Sequence, residues 1–181
     1  MERPTSAMPV SRSPAQDAAV TASTITYGAD IPVDIEQAFA FVADPSTWPS
    51  FFPCIETAAA GQDWGRVGGR GRMTTRFLGR KVVSDMELTQ WDPPHAFRYT
   101  ARQRGRPELD NQRVFTTAAR GTRLVGTTTV QLRRGLPGLF DRISVAVLAR
   151  VYDRAMAQLA DRIPHRVTGT LTAPSRGMVH Q

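Results

Sequence analysis

The feature that most constrains this chain is a change in the period of its apolar residues. From residue 54 to residue 132, apolar and polar residues largely alternate, which is typical of half-buried strands. From about residue 139 to residue 162, apolar residues instead recur at helical spacing. A run of strands followed by one long amphipathic helix predicts an α+β fold, with the helix laid across one face of a curved antiparallel sheet.

Short connections separate the predicted strands. They contain Gly, Pro or Asp, as tight turns require, and connections this short imply antiparallel neighbours. A first strand rich in β-branched residues precedes this region and ends at Pro32. The predicted sheet therefore has seven strands, at residues 24–31, 55–60, 71–78, 81–91, 96–104, 111–118 and 122–132.

Two short helices are predicted between the first and second strands. Asp34 is placed to cap the first, with Gln37 three residues later as in a capping box. Asp44 is placed to cap the second, and Pro45 takes its first helical position. At the other end of the chain, Pro164 is expected to stop the long helix.

The 181 residues suit one domain, which we place at residues 24–164. Residues 1–23 contain Pro4, Pro9 and Pro14 without an apolar period, and residues 165–181 lose the helical pattern, so both are predicted to be flexible tails. No stretch resembles a secretory signal or reaches transmembrane length, so we expect a cytoplasmic protein that is not an integral membrane protein. Its oligomeric state is left open between monomer and homodimer.

The formal charge of +7 at first suggests nucleic-acid binding. Lys81 is the only lysine, however, and several of the arginines fall at alternate strand positions, where they form a solvated sheet face. We therefore expect no specific nucleic-acid partner. Cys54 is the only cysteine, and no His/Asp/Glu cluster has ligand spacing, so no disulfide, metal or other cofactor is expected.

Strand parity predicts which side chains face the long helix. Gly126 and Thr128 are small on that face, and this predicts open space between sheet and helix. Arg113 lies two residues before Phe115 and therefore on the same, inward face of its strand. A buried arginine needs a partner, water or an anionic ligand group. The alternative is that Arg113 reaches solvent at the sheet edge. Tyr99 is likewise either a cavity residue or an ordinary core tyrosine.

The order of these elements, together with the segments DPSTWPSF, WDPPHAF and GTRLVGTTT, resembles the START-like superfamily, also called SRPBCC. Within it, the chain is similar to the bacterial polyketide cyclase/dehydrase-like proteins. The resemblance covers roughly residues 24 to 163. It implies a helix-grip fold with an internal cavity for a hydrophobic small molecule of the polyketide, lipid or quinone class.

Two functions are consistent with that resemblance. One is a cyclase, aromatase or dehydratase that positions a polyketide-like substrate and moves protons, with Tyr99 and Arg113 as catalytic residues. The other is a non-catalytic carrier or accessory protein. Trp48 corresponds to a tryptophan common in the family's short helix. The ligand-binding residues expected are Trp48, Phe52, Met73, Phe77, Met86, Phe97, Phe115, Gly126, Thr128, Leu148, Val151 and Tyr152.

Overall fold

The computed structural model describes residues 21–77, 79–104, 108–132 and 136–170. Residues 1–20 and 171–181, which make up most of the tails predicted at 1–23 and 165–181, lie outside the described residues, as does the turn at 105–107. The strands are β1 (Thr21–Ile31), β2 (Ile55–Ala60), β3 (Arg70–Phe77), β4 (Arg80–Asp92), β5 (Ala96–Arg102), β6 (Leu109–Ala118) and β7 (Gly121–Leu132). The helices are α1 (Ile35–Ala43), a 3₁₀ helix (Pro45–Ser50) and α2 (Leu136–Thr170).

The seven strands form one antiparallel sheet in the order β1-β7-β6-β5-β4-β3-β2. Every consecutive pair from β2 to β7 is a neighbour, as the short connections predicted. β1 crosses to pair with β7, which places the first and last strands side by side. The predicted α+β helix-grip architecture is confirmed: a curved sheet wraps around a long C-terminal helix.

Both short helices begin at the predicted caps. Asp34 Oδ1 accepts a hydrogen bond from the backbone N–H of Gln37 at 2.8 Å. Asp44 Oδ1 accepts one from the backbone N–H of Ser46 at 2.9 Å, and Pro45 follows it. The second helix is a single 3₁₀ segment. These caps satisfy N–H groups that the first helical turn leaves unpaired, and they fix the connection that carries Trp48.

The outer face of the sheet is polar and ion-paired. Arg72 lies 2.9 Å from Asp85 across β3 and β4, and Arg123 lies 2.8 Å from Asp30 across β7 and β1. Arg98 pairs in the same way with Asp110. Outward carboxylates thus pair with arginines across neighbouring strands, and the basic charge on this face is largely neutralised.

Three element boundaries differ from the prediction by three residues or more. β1 begins at Thr21 because its pairing with β7 continues to Leu132, so part of the predicted tail is strand. α2 begins at Leu136 and continues through Pro164 to Thr170. The expected stop at Pro164 was wrong. A proline costs a helix about 3 kcal/mol without forbidding it, and Leu159 and Ile163 bury the turn that precedes it.

Candidate functional site

A cavity of about 130 Å³ lies between the sheet and α2. One wall is formed by residues of the sheet and of the segment after the 3₁₀ helix, and the other by α2. The lining is mainly apolar, with a few polar groups among it. The lining residues are Phe52, Cys54, Ile55, Met73, Thr75, Val82, Tyr99, Gln103, Leu109, Asn111, Arg113, Val130, Asp141, Ser144, Val145, Leu148, Val151 and Tyr152.

Arg113 is the dominant polar group of this cavity. Its position in the middle of β6 turns its side chain toward the helix, and it is only 1% exposed. It makes no ion pair with any described carboxylate, and its Nε and Nη1 atoms have no hydrogen-bond partner. The alternative that Arg113 reaches solvent at the sheet edge was therefore wrong. Donors left without partners in an apolar cavity are available to a ligand oxygen.

Aromatic rings surround the guanidinium of Arg113. Its Cζ lies 5.2 Å from the ring centroid of Trp48, 5.3 Å from that of Tyr99 and 5.5 Å from that of Phe97. The ring of Phe52 is 5.7 Å away. The faces of such rings attract a cation, so the four rings compensate part of the cost of burying the charge.

Burial acts to lower the pKa of Arg113, but the hydroxyl groups of Tyr27, Tyr99 and Tyr152 outweigh it, and the pKa lies above its ordinary value. Arg113 is therefore charged at every relevant pH. Burial also raises the pKa of Tyr27 and of Tyr152, against a lowering effect from Arg113. Both phenols stay protonated near neutral pH, so they serve as hydrogen-bond donors and not as bases.

Asn111 connects the sheet to the helix. Its side-chain oxygen accepts one hydrogen bond from Thr128 Oγ1 at 2.9 Å and a second from the hydroxyl of Tyr152 at 3.1 Å. All three residues are buried. Because both donors converge on one oxygen, Asn111 holds Tyr152 in a defined position at the cavity wall.

The open space expected above Gly126 is filled. A Cβ atom at this position would lie 2.1 Å from Cε2 of Tyr27, so the ring of Tyr27 lies directly on the glycine. The expectation of open space was wrong at Gly126 because parity within one strand gives no information about a large side chain on the neighbouring strand. Thr128 is also fully buried, and its hydroxyl group donates a hydrogen bond to Asn111.

The structure divides the predicted site residues into two groups. Those that line the cavity are Phe52, Met73, Tyr99, Arg113, Leu148, Val151 and Tyr152. Those that are buried but do not line it are Trp48, Met86, Phe97, Phe115, Gly126 and Thr128. Trp48 and Phe97 nevertheless contact Arg113 through their ring faces. The backbone of Phe77 ends β3, and its side chain lies outside the described structure.

Asn111, Asp141 and Cys54 are among the polar groups of the cavity that sequence reasoning missed. Asn111 has the inward parity of Arg113, which was the available signal. Asp141 is 7% exposed and lines the cavity from the first turns of α2. Its position on the helix face that carries Val145 and Leu148 was the signal there. Cys54 borders the cavity from the position just before β2, which begins at Ile55.

Within the described residues, no group of three or more His, Cys, Asp or Glu side chains is arranged to hold a metal ion. The same part of the chain has no helix long and apolar enough to cross a membrane. The ionisable side chains of the described cavity lining are Tyr99, Arg113, Asp141, Tyr152 and the half-buried Cys54.

Comparison with known families is consistent with this geometry. The model of the family described as "Polyketide cyclase / dehydrase and lipid transport" matches residues 19–164, which include the whole sheet and most of α2. The chain belongs to this family. Among curated protein sequences, no significant match was found.

Solved structures support the fold of this polyketide cyclase/dehydrase family member. The Zhui aromatase/cyclase from Streptomyces sp. R1128 is 15% identical, with a TM-score of 0.69 over 81% of this chain and 96% of that chain. A protein from Thermus thermophilus is 19% identical, with a TM-score of 0.66 over 80% of this chain and 99% of that one. The di-domain aromatase/cyclase BexL of the BE-7585A biosynthetic pathway is 16% identical, with a TM-score of 0.62 over 78% of this chain and 50% of BexL.

Proposed function

We propose that this protein binds a hydrophobic small molecule in the cavity under α2 and that Arg113 binds an oxygen of that molecule. The observation that carries the proposal is a buried guanidinium whose Nε and Nη1 have no partner, in a cavity with a mainly apolar lining. An apolar pocket with a few convergent polar groups is the usual form of a small-molecule site. A carbonyl, enolate or carboxylate oxygen would satisfy the free donors and the positive charge together.

The cavity volume limits the part of the ligand that is enclosed. About 130 Å³ is close to the size of an apolar cavity that accommodates one benzene ring, roughly 150 Å³. The enclosed part is therefore one ring or an equivalent length of chain. The rest of a larger ligand would lie outside this volume or require α2 to move.

The chemistry that fits this site best is ring closure of a poly-β-ketone. A base removes a proton from a carbon between two carbonyls, and the enolate carbon attacks a second carbonyl carbon. The resulting alkoxide takes up a proton, and loss of water then gives the unsaturated ring. Arg113 stabilises the negative charge on the enolate or alkoxide oxygen, as preorganised donors do in other enzymes.

The remaining polar groups supply the proton steps in this proposal. Tyr99 is the general acid or base beside Arg113, and the carboxyl group of Asp141 is a second candidate base on the opposite wall. Tyr152 stays protonated because burial raises its pKa, so it donates a hydrogen bond and positions the substrate. The site would act mainly by proximity and electrostatic stabilisation.

Non-catalytic transport of a lipid, quinone or isoprenoid is the second candidate. One observation favours it: Tyr27 and Tyr152 have raised pKa values, and no histidine is among the described lining residues, so proton acceptors near Arg113 are few. A carrier needs only the apolar lining and one polar contact to a head group. The family description includes lipid transport as well as cyclase activity.

Binding is tested with aromatic pairs that differ by one oxygen, such as naphthalene and 2-naphthol, titrated against tryptophan fluorescence. The oxygenated compound should bind at least tenfold more tightly, and Arg113→Met should remove most of that advantage. Arg98→Met, on the outer sheet face, is the matched control and should change neither affinity. Equal affinities for the two compounds in the native protein would contradict the role of Arg113.

Turnover separates the two functions. Short poly-β-ketones are incubated with the native protein, and ring formation is followed by ultraviolet absorbance and mass spectrometry. An enzyme should form product that is lost in Tyr99→Phe or Asp141→Asn while ligand binding persists. Tight binding with no product above the uncatalysed rate would support the carrier.

A further inference from the structure

The first turns of α2 carry apolar side chains on their exposed side and an acidic side chain on their buried side. Three large apolar side chains point into water: Leu139 is 55% exposed, Phe140 is 67% exposed and Ile143 is 51% exposed. On the opposite side of the same turns, Asp141 is only 7% exposed and faces the cavity. An ordinary surface helix has the reverse arrangement. Adjacent exposed apolar side chains of this size, in contrast to scattered ones, mark an interaction surface.

The exposed side of α2 is also basic. Arg142, Arg150 and Arg154 are exposed on the helix between Leu136 and Arg154, and Asp153 is the exposed acidic residue on that stretch. Within the described structure, none of these three arginines forms an ion pair. On the outer sheet face, by contrast, five arginines form ion pairs with carboxylates: Arg72, Arg76, Arg98, Arg102 and Arg123. The helix therefore carries uncompensated positive charge. We call this surface, made of Leu139, Phe140, Arg142, Ile143, Arg150 and Arg154, the outer helix face.

We propose that the outer helix face docks on an anionic membrane surface. Leu139, Phe140 and Ile143 enter the boundary between head groups and acyl chains, and the arginines contact lipid phosphates. Surfaces that bind anionic bilayers combine apolar side chains such as Phe and Leu, which enter the boundary region, with basic side chains, which are attracted to the head groups. The arginines are attracted to anionic head groups, and the apolar side chains leave water when they enter the bilayer, so both contributions favour an anionic membrane.

The outer helix face lies on the same helical turns as part of the cavity wall. The turns that present Phe140 and Ile143 outward place Asp141, Ser144 and Val145 in the cavity lining. A membrane bound at the outer helix face would therefore lie one helix diameter, about 10 Å, from the cavity. This would allow an apolar ligand to pass between bilayer and cavity along the edge of α2. The docking itself does not depend on the proposed function, since it requires no ligand.

A second copy of this chain fits the surface less well. A two-fold interface would place the basic outer helix face of one copy against the same basic face of the other. Like charges brought together at an interface oppose association, and on the helix between Leu136 and Arg154 the exposed acidic residue that could offset them is Asp153. A bilayer with anionic head groups supplies the complementary charge.

The test is co-sedimentation of the 181-residue chain with vesicles of phosphatidylcholine alone and with vesicles containing 30% phosphatidylglycerol (about one anionic lipid in three, enough for a strongly negative surface). Binding should appear on the anionic vesicles and weaken in high salt. Phe140→Ser and Ile143→Ser should each reduce the partition coefficient about tenfold, and Arg142→Gln should reduce it roughly fivefold. Val67→Ser is the matched control, because Val67 is 65% exposed in the β2–β3 connection.

Each result decides the proposal. Loss of vesicle binding in the Phe140 and Ile143 variants, with Val67→Ser unchanged and all variants melting as the native protein does, supports it. Absence of binding to anionic vesicles, or binding that the Phe140 and Ile143 variants retain, overturns it. A concentration-dependent dimer that Phe140→Ser abolishes, without vesicle binding, assigns the surface to a second copy instead. Vesicle binding without any cavity ligand would uphold docking even if the proposed function fails.

Discussion

The ring of Tyr27 lies parallel to the ring of Tyr152, with centroids 4.2 Å apart and an interplanar angle of 7°. Tyr27 comes from edge strand β1 and Tyr152 from α2, so this stack attaches the closing helix to the edge of the sheet. Gly126, which pairs with Tyr27 in the β1–β7 register, leaves the space that the tyrosine ring occupies. The position of the helix over the cavity thus depends on a glycine in β7, the strand beside the one that carries Arg113.

Gly126→Ala should destabilise the protein although the change adds a single methyl group. The new Cβ would lie 2.1 Å from the ring of Tyr27, so the ring must move and the stack with Tyr152 is lost. Overpacking of this kind costs about 1–3 kcal/mol. Urea unfolding of the native and variant proteins measures the loss.

A double mutant supplies the control. Tyr27→Ala removes the ring that the new methyl group meets, so Gly126→Ala should cost little in that background. If the two substitutions are additive, the contact between Tyr27 and Gly126 does not explain the loss.

Arg113→Met should leave the fold as stable as the native protein or raise its free energy of unfolding by about 1–2 kcal/mol. Methionine occupies much of the volume of arginine without burying an unpaired charge, and it packs well against the rings of Trp48 and Phe97. The same variant should lose affinity for oxygenated ligands. Thermal melts and ligand titrations on the same samples test both effects.

Opposite results would assign Arg113 a structural role. If Arg113→Met lowers the free energy of unfolding by more than about 2 kcal/mol, the four cation–π contacts stabilise the fold and the arginine is retained for that reason. Arg98→Met, which removes an exposed ion pair with Asp110, is the control and should have a small effect.

Cys54 should report on occupancy of the cavity. Burial raises the pKa of this thiol, so little of it is thiolate at pH 8, and labelling by a thiol reagent should be slow. The rate should rise steadily as the pH passes 9. Saturating 2-naphthol should slow it further because Cys54 borders the cavity. With a single cysteine in the chain, the released chromophore follows this site alone. A labelling rate unaffected by the ligand would place binding elsewhere.

Alkaline pH should destabilise the protein through its buried tyrosines. The pKa values of Tyr27 and Tyr152 are raised in the folded state, so the stability from keeping these phenols neutral is complete below the unfolded pKa, about 10. Above that pH the unfolded chain loses its phenolic protons first. The free energy of unfolding should then fall by up to about 1.4 kcal/mol per pH unit for each tyrosine, until the folded pKa is reached.

Tyr152→Phe isolates one of these contributions. The variant should have a lower free energy of unfolding at pH 8, because its hydrogen bond to Asn111 is lost, but a shallower decline between pH 10 and pH 11. Urea titrations at several pH values supply the comparison. Identical slopes in both proteins would mean that Tyr152 does not titrate differently in the folded and unfolded states.

The fold could be predicted because its signals are local. Alternation along each strand, turn residues between strands, and the caps at Asp34 and Asp44 each depend on a few neighbouring residues. The end of α2 was misplaced for a related reason. Proline is a local signal, whereas the burial of Leu159 and Ile163 that sustains the helix is a tertiary one.

The site was harder to predict because it is built from pairs of distant residues. Parity placed Arg113 inward, but which rings surround it depends on how β5, β6 and the segment after α1 pack together. Tyr27 went unnoticed as the group that covers Gly126, since the two are far apart in sequence and paired only in the sheet. Asp141 was overlooked because an acidic residue on a helix is ordinarily exposed.

The two walls of the small cavity differ in stiffness. Its sheet wall belongs to a continuous ladder of seven hydrogen-bonded strands, whereas the opposite wall is one helix. A ligand larger than a single ring that stays fully enclosed must therefore push against the helix, because the sheet yields less. The range of ligand sizes that the cavity accepts then depends on the energy needed to bend or displace α2. A substitution that makes α2 more flexible would broaden that range without changing any contact to Arg113.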